Sequence, residues 1–362
     1  MYDISGGFPT QNYMLKQPLT GLVATAIIIA ISLGFISLFD FATFSGWVTY
    51  ALICLIPMEI VVGVTWACKH PAFAANRKQP LKGILLALIL PVAGAIFGAI
   101  YFYSAGGGIG PPTPMLAMCT IVSVIITFWM AIMWGGWPFT ALIKSTLLAG
   151  LALVAACYAV NYLLFRIFFN YEFMRGAPVY VDSLDPHGMF NAWYALVFYM
   201  SVIGVMFLML HFDLWPLTTS AALMKQPILG LVWTLIALGI GGAAFYLGVY
   251  MLGMDVVAYM IRVPVAFIFG TIVVLNMFQA SLFAKMKQPV KGALSAVTAA
   301  ILGVALSLGY GALAPTLTRR LTAGPPGYDF ERWVASALLA VTFPLLVLYA
   351  EFFKFWPLQR TE

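Results

Sequence analysis

Lys16-Gln17-Pro18-Leu19-Thr20-Gly21 and Lys78-Gln79-Pro80-Leu81-Lys82-Gly83 stand 62 residues apart, and each leads into a long apolar run. The same Lys-Gln-Pro, with a glycine three residues past the proline, returns at Lys225-Gln226-Pro227…Gly230 and Lys287-Gln288-Pro289…Gly292, again 62 residues apart. Four copies at two equal spacings read as tandem duplication of one structural unit. The pattern extends upstream, where an aromatic residue or histidine followed by proline precedes the lysine at Phe8-Pro9, His70-Pro71, Trp137-Pro138 and Trp215-Pro216. A third unit keeps Trp137-Pro138 and Lys144 but has Ser145-Thr146 in place of Gln-Pro. The fifth keeps its Lys-Gln-Pro but has Phe278-Gln279 in place of the aromatic-proline pair, and Trp356-Pro357 closes the chain.

The runs behind these motifs belong in lipid. Of the 362 residues 63% are hydrophobic and only 8% charged, with a mean hydropathy of +0.99, whereas soluble domains carry roughly 25% charged residues. From Gly83 to Ile143 there is no Asp, Glu, Lys or Arg. Such runs suit membrane spans of about 20 apolar residues. The reading predicts an all-α integral membrane protein with about ten transmembrane helices. They fall near 18–39, 45–67, 81–103, 114–135, 141–167, 189–211, 228–251, 257–281, 290–313 and 333–354. They group as five tandem parallel helical-hairpin repeats, at about 8–68, 70–135, 137–212, 215–281 and 284–354, within one polytopic domain, 1–362.

Twelve Lys and Arg fall on the side that carries the Lys-Gln-Pro turns and six on the other, which predicts cytoplasmic N- and C-termini. The net charge of +6 does not call for nucleic acid, since Lys and Arg sit mostly in the short connections on one side, as orientation requires. Proline in a first helical turn costs nothing, because its missing N–H would be unpaired there, and lysine anchors in the headgroups beside it. Lys-Gln-Pro therefore reads chiefly as a device for starting helices. Ser295, Ala299, Gly303, Ser307 and Gly311 form a small-residue stripe, echoed by Gly94 and Gly98, so the odd-numbered helices are expected to be the tightly packed ones.

Glu59 is the leading candidate for chemistry. It lies roughly 12 Å inside the cytoplasmic end of the second span, at 1.5 Å per residue. An acid at that depth is expected to face the bundle interior or a wet cavity, and to serve function by default. Nearby, Pro57 frees backbone carbonyls, and the alternative for Glu59 is a bond to such a carbonyl or to a tyrosine. Asn276 and Gln279, one turn apart, and Asn161 are candidate polar lining residues, with interhelical glue the commoner role for such amides. Asp255 with Arg262 and Glu351 with Lys354 read as boundary ion pairs. Asp182-x-x-Asp185-x-His187 is a weak cation pattern on an outer loop, with solvation as the default.

The four cysteines read as buried packers, with no metal-ligand spacing. The glycine-rich Gly106–Pro112 stretch is a turn between spans and not a nucleotide loop. No catalytic motif is present, and no enzyme activity or cofactor is expected. The first run is too long for a signal-peptide core and reads as a retained span. The expected function is a secondary carrier (permease) for a small solute, proton-coupled through Glu59. The alternative is a non-catalytic anchor or scaffold subunit of a larger membrane complex. Expected partners are the lipid bilayer, a small-molecule solute, and a protein partner or second copy, with no nucleic acid. A multi-pass location in the plasma membrane is expected, specifically a bacterial inner membrane.

Overall fold

A computed structural model describes residues 15–177, 180–318, 320–325 and 327–359. Phe8-Pro9, Arg319 and Arg360 lie outside them. Among the described residues ten helices are long and apolar enough to cross a membrane: α1 (Leu19–Ile36), α2 (Phe41–Thr65), α3 (Leu81–Ser104), α4 (Pro114–Met133), α5 (Thr146–Phe168), α6 (Ala192–His211), α7 (Ile228–Met251), α8 (Val256–Met277), α9 (Val290–Leu317) and α10 (Asp329–Phe352). The sheet among the described residues is a two-residue parallel pairing of β1 (Phe169–Asn170) with β2 (Phe190–Asn191), which closes the loop between α5 and α6.

The helices form two concentric layers. Each even-numbered helix touches the next, α2 to α4, α4 to α6, α6 to α8, α8 to α10 and α10 back to α2, so five of them close a ring. Each odd-numbered helix lies outside, against two neighbours in that ring. Burial follows this division. In the even helices 56–72% of the most apolar window is buried, against 28–39% in the odd ones. The odd helices, expected to be the tightly packed ones, are therefore the less buried set, close to the ring on one face only. Their small residues bring one narrow face close to the ring and leave the remaining faces to lipid. Gly303 on α9 and Gly270 on α8 illustrate it, since a Cβ on either would overlap backbone of the other helix.

The Lys-Gln-Pro turns make the seams of the ring. Each proline stands at the N-cap, one position before the helix begins. Each glutamine then makes the same two bonds. Its Oε1 accepts from the N–H of the motif glycine, at 3.2 Å in Gly21 and Gly83, 3.1 Å in Gly230 and 3.0 Å in Gly292. Its Nε2 donates to the last carbonyl of an inner helix. Gln17 reaches Met277 O at 3.3 Å, Gln79 reaches Phe352 O at 2.6 Å, Gln226 reaches Met133 O at 2.9 Å and Gln288 reaches His211 O at 3.1 Å. These bonds satisfy both an orphan N–H at one helix start and an orphan C=O at another helix end.

An aromatic residue follows each accepting carbonyl: Phe278, Phe353, Trp134 and Phe212. The motif glycine is its seat, because a Cβ on Gly21, Gly83, Gly230 or Gly292 would overlap that ring. After the aromatic, two residues turn the chain with positive φ. Only α4 supplies glycines for this, Gly135 and Gly136, while Asp213-Leu214, Gln279-Ala280 and Lys354-Phe355 adopt it with side chains.

The α2–α5 seam is built differently. Ser145 caps α5 by accepting from Leu148 N–H, and Trp66 Nε1 donates to Thr146 O at 3.0 Å. Gly150 is the seat for the Trp66 ring. Here the aromatic residue itself supplies the donor. All five seams therefore join the start of an outer helix to the end of an inner one, and they gather on one face of the bundle, called the seam face below.

Candidate functional site

Encircling helices that are apolar on every side can enclose space on their axis. The five inner helices leave a cavity there of about 170 Å³. Its wall is aliphatic and includes Ile53, Ile121, Met200, Ile268 and Leu339, one from each inner helix. At the mouth, on the side opposite the seams, stand Ser45, Trp193, Glu331 and Arg332. The floor carries Phe128 and Phe343, whose rings meet edge to face with centroids 6.0 Å apart. Phe207 packs edge to face on Phe128 at 5.4 Å. Three aromatic rings from α4, α6 and α10 thus sit between the cavity and the seam face.

The mouth is organised by charge. Arg332 Nη2 donates to Ser45 Oγ at 3.3 Å, its Nη1 lies 3.6 Å from Asp329, and its guanidinium stacks over Phe41 at 5.7 Å. Glu331 accepts the Gly324 N–H at 3.1 Å and so ties the preceding loop to α10. Neither residue stood out in the sequence, where Arg332 counted only as an outer-side charge.

Glu59 does not line the axial cavity. It faces a second space of about 160 Å³ in the seam between α2 and α10, flanked by Phe35 of α1 and Leu90 of α3. The residue is 2% exposed, and its Oε1 is buried without a hydrogen-bond partner among the described residues. Ala340, in a seven-residue π-helical stretch of α10 (Ser336–Thr342), borders both cavities. Pro57 breaks α2 just before Glu59, and the carbonyl of Cys54 in the break accepts from Tyr158 Oη at 3.0 Å. One carbonyl beside the break is therefore taken by a tyrosine, while the Glu59 Oε1 atom bonds neither a carbonyl nor a tyrosine among the described residues.

Counting back seven residues from the aromatic that ends each inner helix gives Glu59, Thr127, Val205, Thr271 and Leu346. Thr127 Oγ1 bonds its own helix at Ser123 O, 2.7 Å away, and Thr271 Oγ1 lies 3.0 Å from His211 Nε2. Glu59 is the acid among five equivalent positions.

The four proposed site residues are not brought together. Asn161 is fully buried where α5 meets α3 and α4, with Nδ2 donating to Tyr101 Oη (2.9 Å) and Cys119 O (2.7 Å). Asn276 sits at the seam end of α8 and donates to Glu351 Oε1 at 3.3 Å. Gln279 lies past the helix end, in the positive-φ turn. Glu351 also pairs with Lys354 at 2.8 Å, as expected from their spacing. Asp255 instead caps α8 by accepting from Val257 and Ala258 N–H, and takes a 2.7 Å bond from Tyr328 Oη, so the expected partner Arg262 is displaced by a helix cap.

One polar cluster escaped the sequence reading, and another, around Asp185, stood there only as a weak cation pattern. His211 bridges Ser295 Oγ (2.7 Å) and Thr271 Oγ1 (3.0 Å) at the α6–α8–α9 junction, with Asp213 bonding Lys291 Nζ (2.7 Å) and Gln288 Nε2 (2.8 Å) beside it. The signal was there in Asp213 and Lys291, but they lie 78 residues apart. In the outer loop, Asp185 is buried and accepts from the backbone N–H of Tyr171 and His187 and from Tyr180 Oη. Desolvation and the hydrogen bonds to Asp185 and Asp182 push the Tyr180 phenol up to about 12. Asp185 thereby organises the loop through hydrogen bonds.

No protein-family model matches the chain, and comparison with curated proteins and with solved structures gave no match.

Proposed function

We propose that this multi-pass membrane protein is a permease that moves a small solute along the axis of its inner ring. The observation that carries the reading is the axial cavity itself, to which all five inner helices contribute and which phenylalanine rings close toward the seam face. An aliphatic wall with a few polar groups at one end suits a small, weakly hydrated organic molecule, because a strongly hydrated ion would lose its water without replacement. In this reading the five hairpins are parallel repeats of one unit, a topology supported by the recurring glutamine bonds. The seam face, rich in Lys and Arg, is cytoplasmic. The membrane is the plasma membrane, and the chemistry is transport without an enzyme step or cofactor.

Proton coupling enters through Glu59. It reaches the axial path across α10, whose Ala340 borders both spaces. A π-helical wall supports this role, since such turns recur at functional sites. The test is flux into liposomes containing the purified chain. Phe343→Ala is expected to raise flux of small organic solutes several-fold, and Glu59→Gln to abolish the pH-driven component while the protein stays folded. Unchanged flux in both variants would overturn the reading.

The alternative, a scaffold subunit of a larger membrane complex, draws support from the regular seam face, where every Lys-Gln-Pro turn gathers. Gentle purification from native membranes separates the two. A stoichiometric partner together with no flux from the isolated chain would favour the scaffold.

A further inference from the structure

We propose that the Glu59 crevice is a bilayer-facing binding site for a small lipophilic hydrogen-bond donor, an apolar body about the size of benzene that carries one hydroxyl or amine. The inference shares Glu59 with the proposed transport path but does not rest on it. Apart from Glu59, every side chain lining the crevice is apolar. Six of its lining residues, Phe35, Leu52, Leu55, Pro344, Leu345 and Leu348, are half-buried, which puts the rim on the outer surface between α1 and α3, where a membrane protein meets lipid. Inside, the Glu59 Oε1 atom is buried and has no partner among the described residues.

The chemistry of possible occupants narrows the choice. A buried polar atom without a hydrogen bond is costly, so whatever fills the space and brings a donor is favoured. Water needs two to four polar partners to be held in a cavity, and this one offers a single carboxyl group. A lipid acyl tail fits the apolar wall but brings no donor. A lipophilic alcohol or amine satisfies both demands. The volume agrees, since a dry apolar cavity of roughly 150 Å³ accepts benzene. The other inner helices offer no such feature at the equivalent position. Thr127 and Thr271 are already bonded, and Val205 and Leu346 carry no polar group.

The experiment uses the full chain in phosphatidylcholine liposomes and reads modification of Glu59 by peptide mass mapping. The apolar reagent dicyclohexylcarbodiimide adds the carboxyl group across one C=N bond, forming a C–O bond while the acid proton passes to nitrogen. The adduct then rearranges to a stable N-acylurea with no atom lost. Glu59 is expected to react several-fold faster with this reagent than with a water-soluble carbodiimide, and Glu59→Gln to lose the label. Benzyl alcohol is expected to slow labelling several-fold, whereas toluene, the same body without the hydroxyl, leaves it unchanged. Leu345→Trp, which narrows the rim, is expected to slow labelling as well. If that variant fails to fold, the wild-type comparison of benzyl alcohol with toluene still decides. Equal protection by toluene would reduce the crevice to an apolar void. Failure of benzyl alcohol to protect, or equal labelling by the soluble reagent, would overturn the proposal outright.

Discussion

Helix α2 and its four counterparts in the inner ring occupy equivalent places and are built differently. At the ends of α4, α6, α8 and α10, a glutamine from an outer helix donates to the last carbonyl. At the end of α2, Trp66 reaches out and donates to the outer helix instead. The same helix carries Glu59 where the others have Thr or an aliphatic residue. What the five seams share is an aromatic ring seated on a glycine. What varies is the hydrogen bond beside it, so the ring contact is the constant of the architecture and the donor is interchangeable.

The comparison can be broken most severely at the seats. Gly292→Leu and Gly150→Leu each push a side chain into the ring that caps the neighbouring inner helix, Phe212 in one case and Trp66 in the other. Overpacking of this kind is expected to cost about 3 kcal/mol at either seam. Denaturant unfolding in detergent micelles checks it. If the α2–α5 seam tolerates leucine while the α6–α9 seam does not, the seated ring is not the shared element.

Ten spans were legible because lipid leaves little freedom: every backbone group must be satisfied within a helix, so run length alone locates them. The prediction of 228–251 coincides with α7, and 141–167 misses the start of α5 by a few residues because Phe139–Leu142 forms a separate short turn. The Lys-Gln-Pro repeat was legible too, but only as a helix start. The glutamine's second bond was not, since its acceptor lies 93 residues away for Gln226 and 260 for Gln17. Nor was the axial cavity. In lipid a helix is apolar on its outer and inner faces alike, so Ile121 or Met200 gives no sign of which way it points. Glu59's depth could be read from its position, but its place off the axis depends on α10 closing the ring against α2. For Asn161 and Asn276 the sequence favours interhelical bonds over a lining role, and both make them, to partners it could not name because those lie on other helices.

A smaller effect is expected at the donors. Gln226→Leu removes two partly buried hydrogen bonds, from the Gly230 N–H and to Met133 O, for a loss of about 1–2 kcal/mol. Trp66→Phe keeps a ring on the Gly150 seat and removes one bond, for a loss of about 0.5–1.5 kcal/mol. Thermal unfolding of the two variants side by side reads the difference. A Trp66→Phe loss well above that of Gln226→Leu would show that α2 depends on its donor in a way the other inner helices do not.

At Glu59 the expected effect changes sign. Thr271→Val removes a hydroxyl that bonds His211, so it is expected to destabilise by about 1 kcal/mol. Glu59→Leu removes a carboxyl whose Oε1 has no partner and puts an aliphatic group against Leu55, Leu90 and Leu348. It is expected to stabilise by about 1 kcal/mol, because a buried polar atom without a hydrogen bond is a net cost. Unfolding midpoints of both variants in the same detergent check the pair. A residue whose removal strengthens the fold while its amide variant abolishes pH-driven uptake is held for function. If Glu59→Leu instead weakens the protein as Thr271→Val does, the carboxyl group belongs to the packing of α2 against α10, and what still sets the α2 seam apart is the direction of the Trp66 bond.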